Sequence, residues 1–198
     1  TAKLAEQNKV PYLYTPKDDA VDPLGNFTNI ASIALHLDAR KLAVYLRKIA
    51  EERGITRIDG NYTSSTLSEH GNITHLNLED GRRVETDFVF DCSGFKRLII
   101  GKHFDAPWKS YKESLPVNKA MPFFIDHDNT KVPPYTEAIA MKYGWVWKIP
   151  VEGRYGCGYV YDSDLVSDEQ ILEEIKEMFG QDVESPRTFE FEAGRYET

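Results

Sequence analysis

The stretch Gly144-Trp145-Val146-Trp147-Lys148-Ile149-Pro150 decides how this chain folds. Successive strand side chains point to opposite faces, so Trp145, Trp147 and Ile149 share one face of an extended segment. Proline cannot donate to a sheet ladder, so Pro150 is expected to close the run. A second extended run, Tyr155-Gly156-Cys157-Gly158-Tyr159-Val160-Tyr161, follows after Val151-Glu152-Gly153-Arg154. The Glu152-Gly153 centre suits a tight hairpin turn. A two-residue loop there fixes the register, with Trp145 opposite Val160, Trp147 opposite Gly158 and Ile149 opposite Gly156. The glycines leave room beside the indoles, or let another backbone or a flat ligand approach. On spacing alone, an aromatic core hairpin and a ligand-facing wall both satisfy this pattern.

Further strands are expected on either side of the hairpin, at 120–125, 138–143 and 188–192. Ser167 with Gln170 forms a capping box. The helix it opens runs to Phe179 with Ile171, Leu172, Ile175, Met178 and Phe179 inward, and Gly180 stops it. Strands in a row with one covering helix make an α+β region over 101–198.

The first hundred residues read differently. Residues 1–34 are weakly patterned: Leu4 and Ala5 could end a helix, and Pro11, Pro16 and Pro23 mark a loop. Asp38 is a good N-cap for a helix over 39–53, whose stripe is Leu42, Tyr45, Leu46, Ile49 and Ala50. Gly54 ends that helix and 55–58 should be a strand, a helix-to-strand step as in an α/β layer. A meander follows, 62–67 and 73–78 around a Glu69-His70-Gly71-Asn72 turn, then 83–86 after Glu79-Asp80-Gly81-Arg82. The run 87–91 is apolar at its centre and is expected to be a strand buried on both faces. Cys92-Ser93-Gly94 and a helical turn over 96–100 come next. That geometry aims backbone N–H groups at an anion or a cofactor edge, or is an ordinary strand-to-helix turn. Domains are expected at 1–100 and 101–198, with a soft boundary near 101–118.

Composition narrows the function classes. With 198 residues, 41% hydrophobic and 28% charged, this is an ordinary globular composition. A net charge of -8 argues against nucleic acid as the main partner. No apolar run approaches the ~18 residues of a membrane span, and no secretion signal opens the chain. Cys92 and Cys157 form no disulfide framework or metal spacing, which suggests a reduced, cytoplasmic setting. His36, His70, His75, His103 and His127 show no metal-ligand spacing with a carboxylate, so no metal is expected. The sequence has no G-x-G-x-x-G, the loop that holds a dinucleotide pyrophosphate. It starts without Met and stops in a strand-like run, and so reads as an internal piece of a longer protein.

The run WVWKIP followed by GRYGCGYVY resembles the W-x-W-x-I-P signature of flavin-dependent tryptophan halogenases. Tyr135-Thr136-Glu137-Ala138-Ile139-Ala140-Met141, Asp91-Cys92-Ser93-Gly94 and Leu35-His36-Leu37-Asp38-Ala39 resemble the same family in the same order. The similarity runs over roughly 30 to 195. It implies part of a FAD-binding, flavoprotein monooxygenase-like domain, joined to an antiparallel substrate-side sheet. It also implies that reduced FAD, oxygen and chloride or bromide act together on an aromatic substrate such as tryptophan. A separate flavin reductase supplies the reduced flavin.

Three groups of residues are carried over by this resemblance. Trp145, Trp147, Ile149 and Pro150 would line the tunnel beside the flavin. Cys92, Ser93 and Gly94 would form part of the flavin wall. Tyr62 and Thr63 align with the position whose backbone meets the adenine end of FAD, although small β-branched residues are common where Tyr62 stands. The family's catalytic lysine and glutamate match no position here, so no catalytic residue is expected in this span, and the piece alone should be inactive. Two other readings stay open: a flavin monooxygenase-type oxidoreductase without halogenase activity, and a non-enzymatic binding module.

Overall fold

The computed structural model describes Gln7 and residues 35–127, 130, 132–183 and 187–197. The readings made for 1–34 lie outside the described residues, Gln7 apart. The chain divides into two compact units, each assembled from two stretches of sequence. One holds the described residues up to Leu42 together with Val117–Glu190; the other holds Ala43–Pro116 and Phe191–Thr198. One crossing, Pro116 to Val117, falls inside the soft boundary expected near 101–118. The other two crossings make both units discontinuous.

The first unit is a five-stranded antiparallel sheet with one helix. Its strands are β5 (Lys119–Asp126), β6 (Glu137–Met141), β7 (Gly144–Val151), β8 (Arg154–Tyr161) and β9 (Phe189–Glu190), in the order β6-β7-β8-β5-β9. The hairpin register is the one the turn dictates: Trp145 pairs with Val160, Trp147 with Gly158 and Ile149 with Gly156. Gly153 takes the positive φ (80°) that the tight turn needs. Pro150 does not close the strand; β7 runs one residue further. β6 pairs only as far as Lys148, so no neighbour on that side asks Pro150 for an N–H.

Alternation gives the sheet two faces. Met121, Phe123, Val146, Cys157, Tyr159 and Tyr161 fill one, packed against Ile171 and Ile175 of the second helix, α2 (Asp168–Phe179). The capping box at Ser167 and Gln170 forms, and Gly180 ends α2 in the left-handed conformation. Met178, expected inward, is exposed; Leu172 and Phe179 pack against the core. Carboxylates on α2 tie it to the sheet. Tyr159 donates to Glu174 (2.8 Å), Tyr161 donates to Asp168 (2.7 Å), and Lys119 donates to both Asp168 oxygens (2.9 Å each). These bonds satisfy two phenols buried in an apolar layer, where an unpaired hydroxyl is costly.

The second unit carries the expected meander, β1 (Tyr62–Leu67), β2 (Ile73–Leu78) and β3 (Arg83–Glu85), with Gly71 and Gly81 at positive φ in its turns. A separate pair, not foreseen, joins β4 (Trp108–Ser110) to β10 (Gly194–Tyr196). Every strand pairing among the described residues is antiparallel.

Three expectations fail here, for one physical reason. Helix α1 (Ala39–Glu52) forms behind its Asp38 cap, yet none of its residues is buried; Tyr45 and Leu46 are exposed. Residues 55–58 are not a strand. The run 87–91 is not a strand either, and Phe88 and Phe90 are 75% and 84% exposed. A buried parallel strand needs neighbours on both edges and cover on both faces. The described residues supply neither. The turn after Gly94 is also not a regular helix: a 3₁₀ turn, Gly94–Lys96, precedes a π-helical turn, Leu98–His103, closed by Lys102 N–H to Arg97 and Phe104 N–H to Ile99.

Candidate functional site

The face of the five-stranded sheet opposite α2 is the candidate site, buried at Ala120, Gly158 and Val160 and more open toward Trp145 and Phe124. It carries Trp145, Trp147 and Ile149 from β7, with Ala138 and Ala140 on one side and Gly156, Gly158 and Phe124 on the other. Trp145 is 41% exposed, Phe124 is exposed, and so are both alanines. The two indoles meet edge to face, with ring centroids 6.2 Å apart. A Cβ on Gly158 would collide with the Trp147 ring, so the glycine is what lets the indole lie down on the sheet. Small residues flanking two large rings leave an apolar, partly accessible surface.

Pro150 does not share this surface. Alternation puts it with Val146 and Lys148 on the opposite side, where it is buried. Lys148 pairs with Glu137 (2.8 Å) on that same side. Sequence reading missed two members of the Trp-bearing face. Arg154 stands over the Phe124 ring (4.1 Å) and pairs with Asp38 (2.9 Å), and His36 meets Thr136 (3.3 Å). The segment 36–38 is thereby pinned at two points along the hairpin end of the face. Parity along β5 and β8 would have found Phe124 and Arg154, which share that face with the indoles.

The residues expected at the cofactor belong to the other unit. Gly94 is exposed, has φ 62° and has nothing within 4 Å of where a Cβ would stand. Cys92 is exposed and Ser93 half-buried. Asp91 caps this turn from within: it accepts from Ser93 N–H (3.0 Å) and Ile99 N–H (2.9 Å), while Ser93 Oγ accepts from Leu98 N–H (3.0 Å). The side-chain bond with Ser93 is the largest of the interactions that lower the Asp91 pKa. Three N–H groups of the turn are therefore spent internally, and the expectation that they aim at an anion is corrected to that extent. Tyr62 bonds Ser65 (2.8 Å), and Thr63 donates to the Asn77 carbonyl (3.0 Å). A cleft of about 760 Å³ in this unit is lined in part by Phe88, Val89, Asp91 and Ile99. Among the described residues no group of three His, Cys, Asp or Glu is placed to hold a metal ion, and no helix is long and apolar enough to cross a membrane.

This fold recurs in flavin-dependent halogenases. The enzyme BrvH from Brevundimonas sp. BAL3 superposes with a TM-score of 0.77 at 34% identity, over 98% of this chain and 39% of that one. The chain matches the tryptophan halogenase family over residues 4–198 and belongs to it. It is 37% identical to tryptophan 7-halogenase KtzQ of Kutzneria sp. (strain 744), over 78% of this chain and 30% of that protein. It is 35% identical to tryptophan 7-halogenase RebH of Lentzea aerocolonigenes, over 80% of this chain and 30% of that protein. The chain thus spans about 30% of the length of these curated relatives.

Proposed function

We propose that these residues serve a flavin-dependent halogenase, in which reduced FAD, oxygen and chloride or bromide act on an aromatic substrate such as tryptophan. One observation carries the reading: a pair of indoles in contact on the sheet face opposite α2, with Trp145 41% exposed. When bound, reduced FAD supplies the chemistry that activates oxygen toward a halide.

The residues present fit part of such a cofactor and not all of it. The apolar Trp145–Trp147–Ile149 surface suits a wall beside an isoalloxazine ring, and unobstructed Gly94 permits close backbone approach. Cys92, Ser93, Tyr62 and Thr63 complete the cofactor-side assignment. A phosphate-cradling glycine loop is not among these residues. The work of this chain's own side chains is then to exclude water and confine a small oxidant. The indole faces and the aliphatic Ile149 side chain do this by offering no hydrogen bond. Pro150 supports the wall from its buried side. A flavin reductase as partner and a reduced, cytoplasmic setting belong to the same reading, which the free Cys92 and Cys157 support.

The test is an assay on the complete product of the gene that encodes these residues, supplied with FAD, a reductase, NADH and bromide. Halogen-for-hydrogen exchange on an aromatic substrate, seen by mass spectrometry, supports the proposal. Hydroxylated product alone would favour a monooxygenase. For the 198-residue chain, tight FAD binding with clear protection against unfolding would refute the partial fit.

A further inference from the structure

The geometry points to a second ligand site, for an oxyanion such as a phosphate group, in a smaller cleft of the meander-bearing unit. The cleft has a volume of about 370 Å³; Phe95, Lys96, Arg97, Lys102, Trp108 and Tyr196 line it, and Asp105 is its one acid. Three cations around one carboxylate make a positive concavity on a chain whose net charge is -8. Among the described residues Lys96, Arg97 and Lys102 form no ion pair, whereas Arg57, Arg82 and Lys176 each find an aspartate.

The arginine is held ready. Arg97 sits at φ 48° and ψ 50°, a conformation that few non-glycine residues adopt, at the start of the π-helical turn. Its guanidinium lies 4.4 Å from the Trp108 ring centroid and 5.8 Å from that of Tyr196, and those rings meet edge to face at 4.9 Å. Stacking fixes the guanidinium while leaving its N–H donors unspent. Gly101 has no Cβ where one would strike the Tyr196 hydroxyl, so that hydroxyl lies against the turn. The buried Trp108 indole N–H has no hydrogen-bond partner among the described residues. A planar, preset guanidinium beside two point-charge ammonium groups is the donor set that a phosphate or phosphomonoester takes. This inference does not rest on the halogenase reading: it concerns other residues and needs no flavin.

The experiment titrates the purified chain with inorganic phosphate, AMP and adenosine at constant ionic strength, with chloride as the balancing anion. Thermal midpoint and tryptophan fluorescence are followed. A saturable rise in midpoint with phosphate or AMP is expected, and none with adenosine. AMP tighter than phosphate identifies a phosphomonoester, and equal affinities identify free phosphate. Arg97→Gln and Lys102→Gln should each weaken binding about tenfold, one charge-assisted hydrogen bond, with the ligand-free midpoint of the Lys102 variant little changed. Lys102 is exposed, so its variant keeps the test valid if Arg97→Gln fails to fold. No saturable response to phosphate or AMP beyond the chloride control, or a response that survives in the Lys102 variant unchanged, overturns the proposal.

Discussion

Trp147 stands across the ladder from Gly158, and its indole occupies the space that a Cβ on that glycine would need. Gly158→Ala should therefore destabilise the chain by about 1–3 kcal/mol, an overpacking penalty. Gly156 is the internal control. A Cβ there would meet only the Ile149 carbonyl oxygen, at 3.9 Å, so Gly156→Ala should stay within about 0.5 kcal/mol. Urea unfolding of both variants checks this, and equal losses would contradict it.

The two faces of the sheet should respond differently to truncation. Ile175 is fully buried, and Ile175→Ala should cost about 2–5 kcal/mol. Trp145 is 41% exposed, so Trp145→Ala should cost less than Ile175→Ala, about 1–2 kcal/mol. If the proposed halogenase activity holds for the complete gene product, the same Trp145 variant should lose it without losing solubility. A large stability loss at Trp145 would return the indole pair to the status of ordinary core.

The cysteines should separate by reactivity. Burial pushes the Cys157 thiol up to about 12, with Lys148 opposing this and Glu137 reinforcing it. Cys92 is exposed. A thiol reagent near neutral pH should label Cys92 quickly and Cys157 only after denaturation, because the thiolate is the reacting species. Peptide mapping of the labelled native chain distinguishes the two.

Acid should loosen the attachment of α2. Burial raises the Asp168 carboxyl, but hydrogen bonds from Lys119 and Tyr161 outweigh it and hold the pKa below the ordinary 3.8. A depressed carboxylate contributes stability that is present above the unfolded pKa and lost as the pH falls through the folded one. The urea midpoint should therefore fall below about pH 4. Asp168→Asn should lower the midpoint at pH 7, and its gap from the parent chain should narrow toward pH 3. A gap constant across that range would remove Asp168 from the acid response.

Local rules were readable wherever both partners lie close in the sequence. The Glu152-Gly153 turn set the β7–β8 register, and Ser167 with Gln170 set the start of α2. The Tyr45–Leu46 stripe of α1 and the Phe88–Phe90 run were read with the right periodicity and the wrong environment. A hydrophobic pattern states which side seeks cover, not what provides it. At the candidate site, Trp145, Trp147 and Ile149 were legible because alternation suffices to align them. The Arg154–Asp38 pair was not, since more than a hundred residues separate two charges whose meeting depends on the finished sheet. The self-capping of the 92–94 turn by Asp91 was likewise hidden, because its carboxylate reaches forward to Ile99.

The β4–β10 pair gives translation a direction. On a ribosome, Trp108–Ser110 emerges well before Gly194–Tyr196, and the whole five-stranded sheet is made in the interval. The sheet unit can therefore settle first, as domains do during synthesis, while β4 waits as a bare edge open to mispairing. A released chain truncated after Glu190 should show the sheet protected and Trp108 accessible, which makes Gly194–Tyr196 a latch that is thrown late.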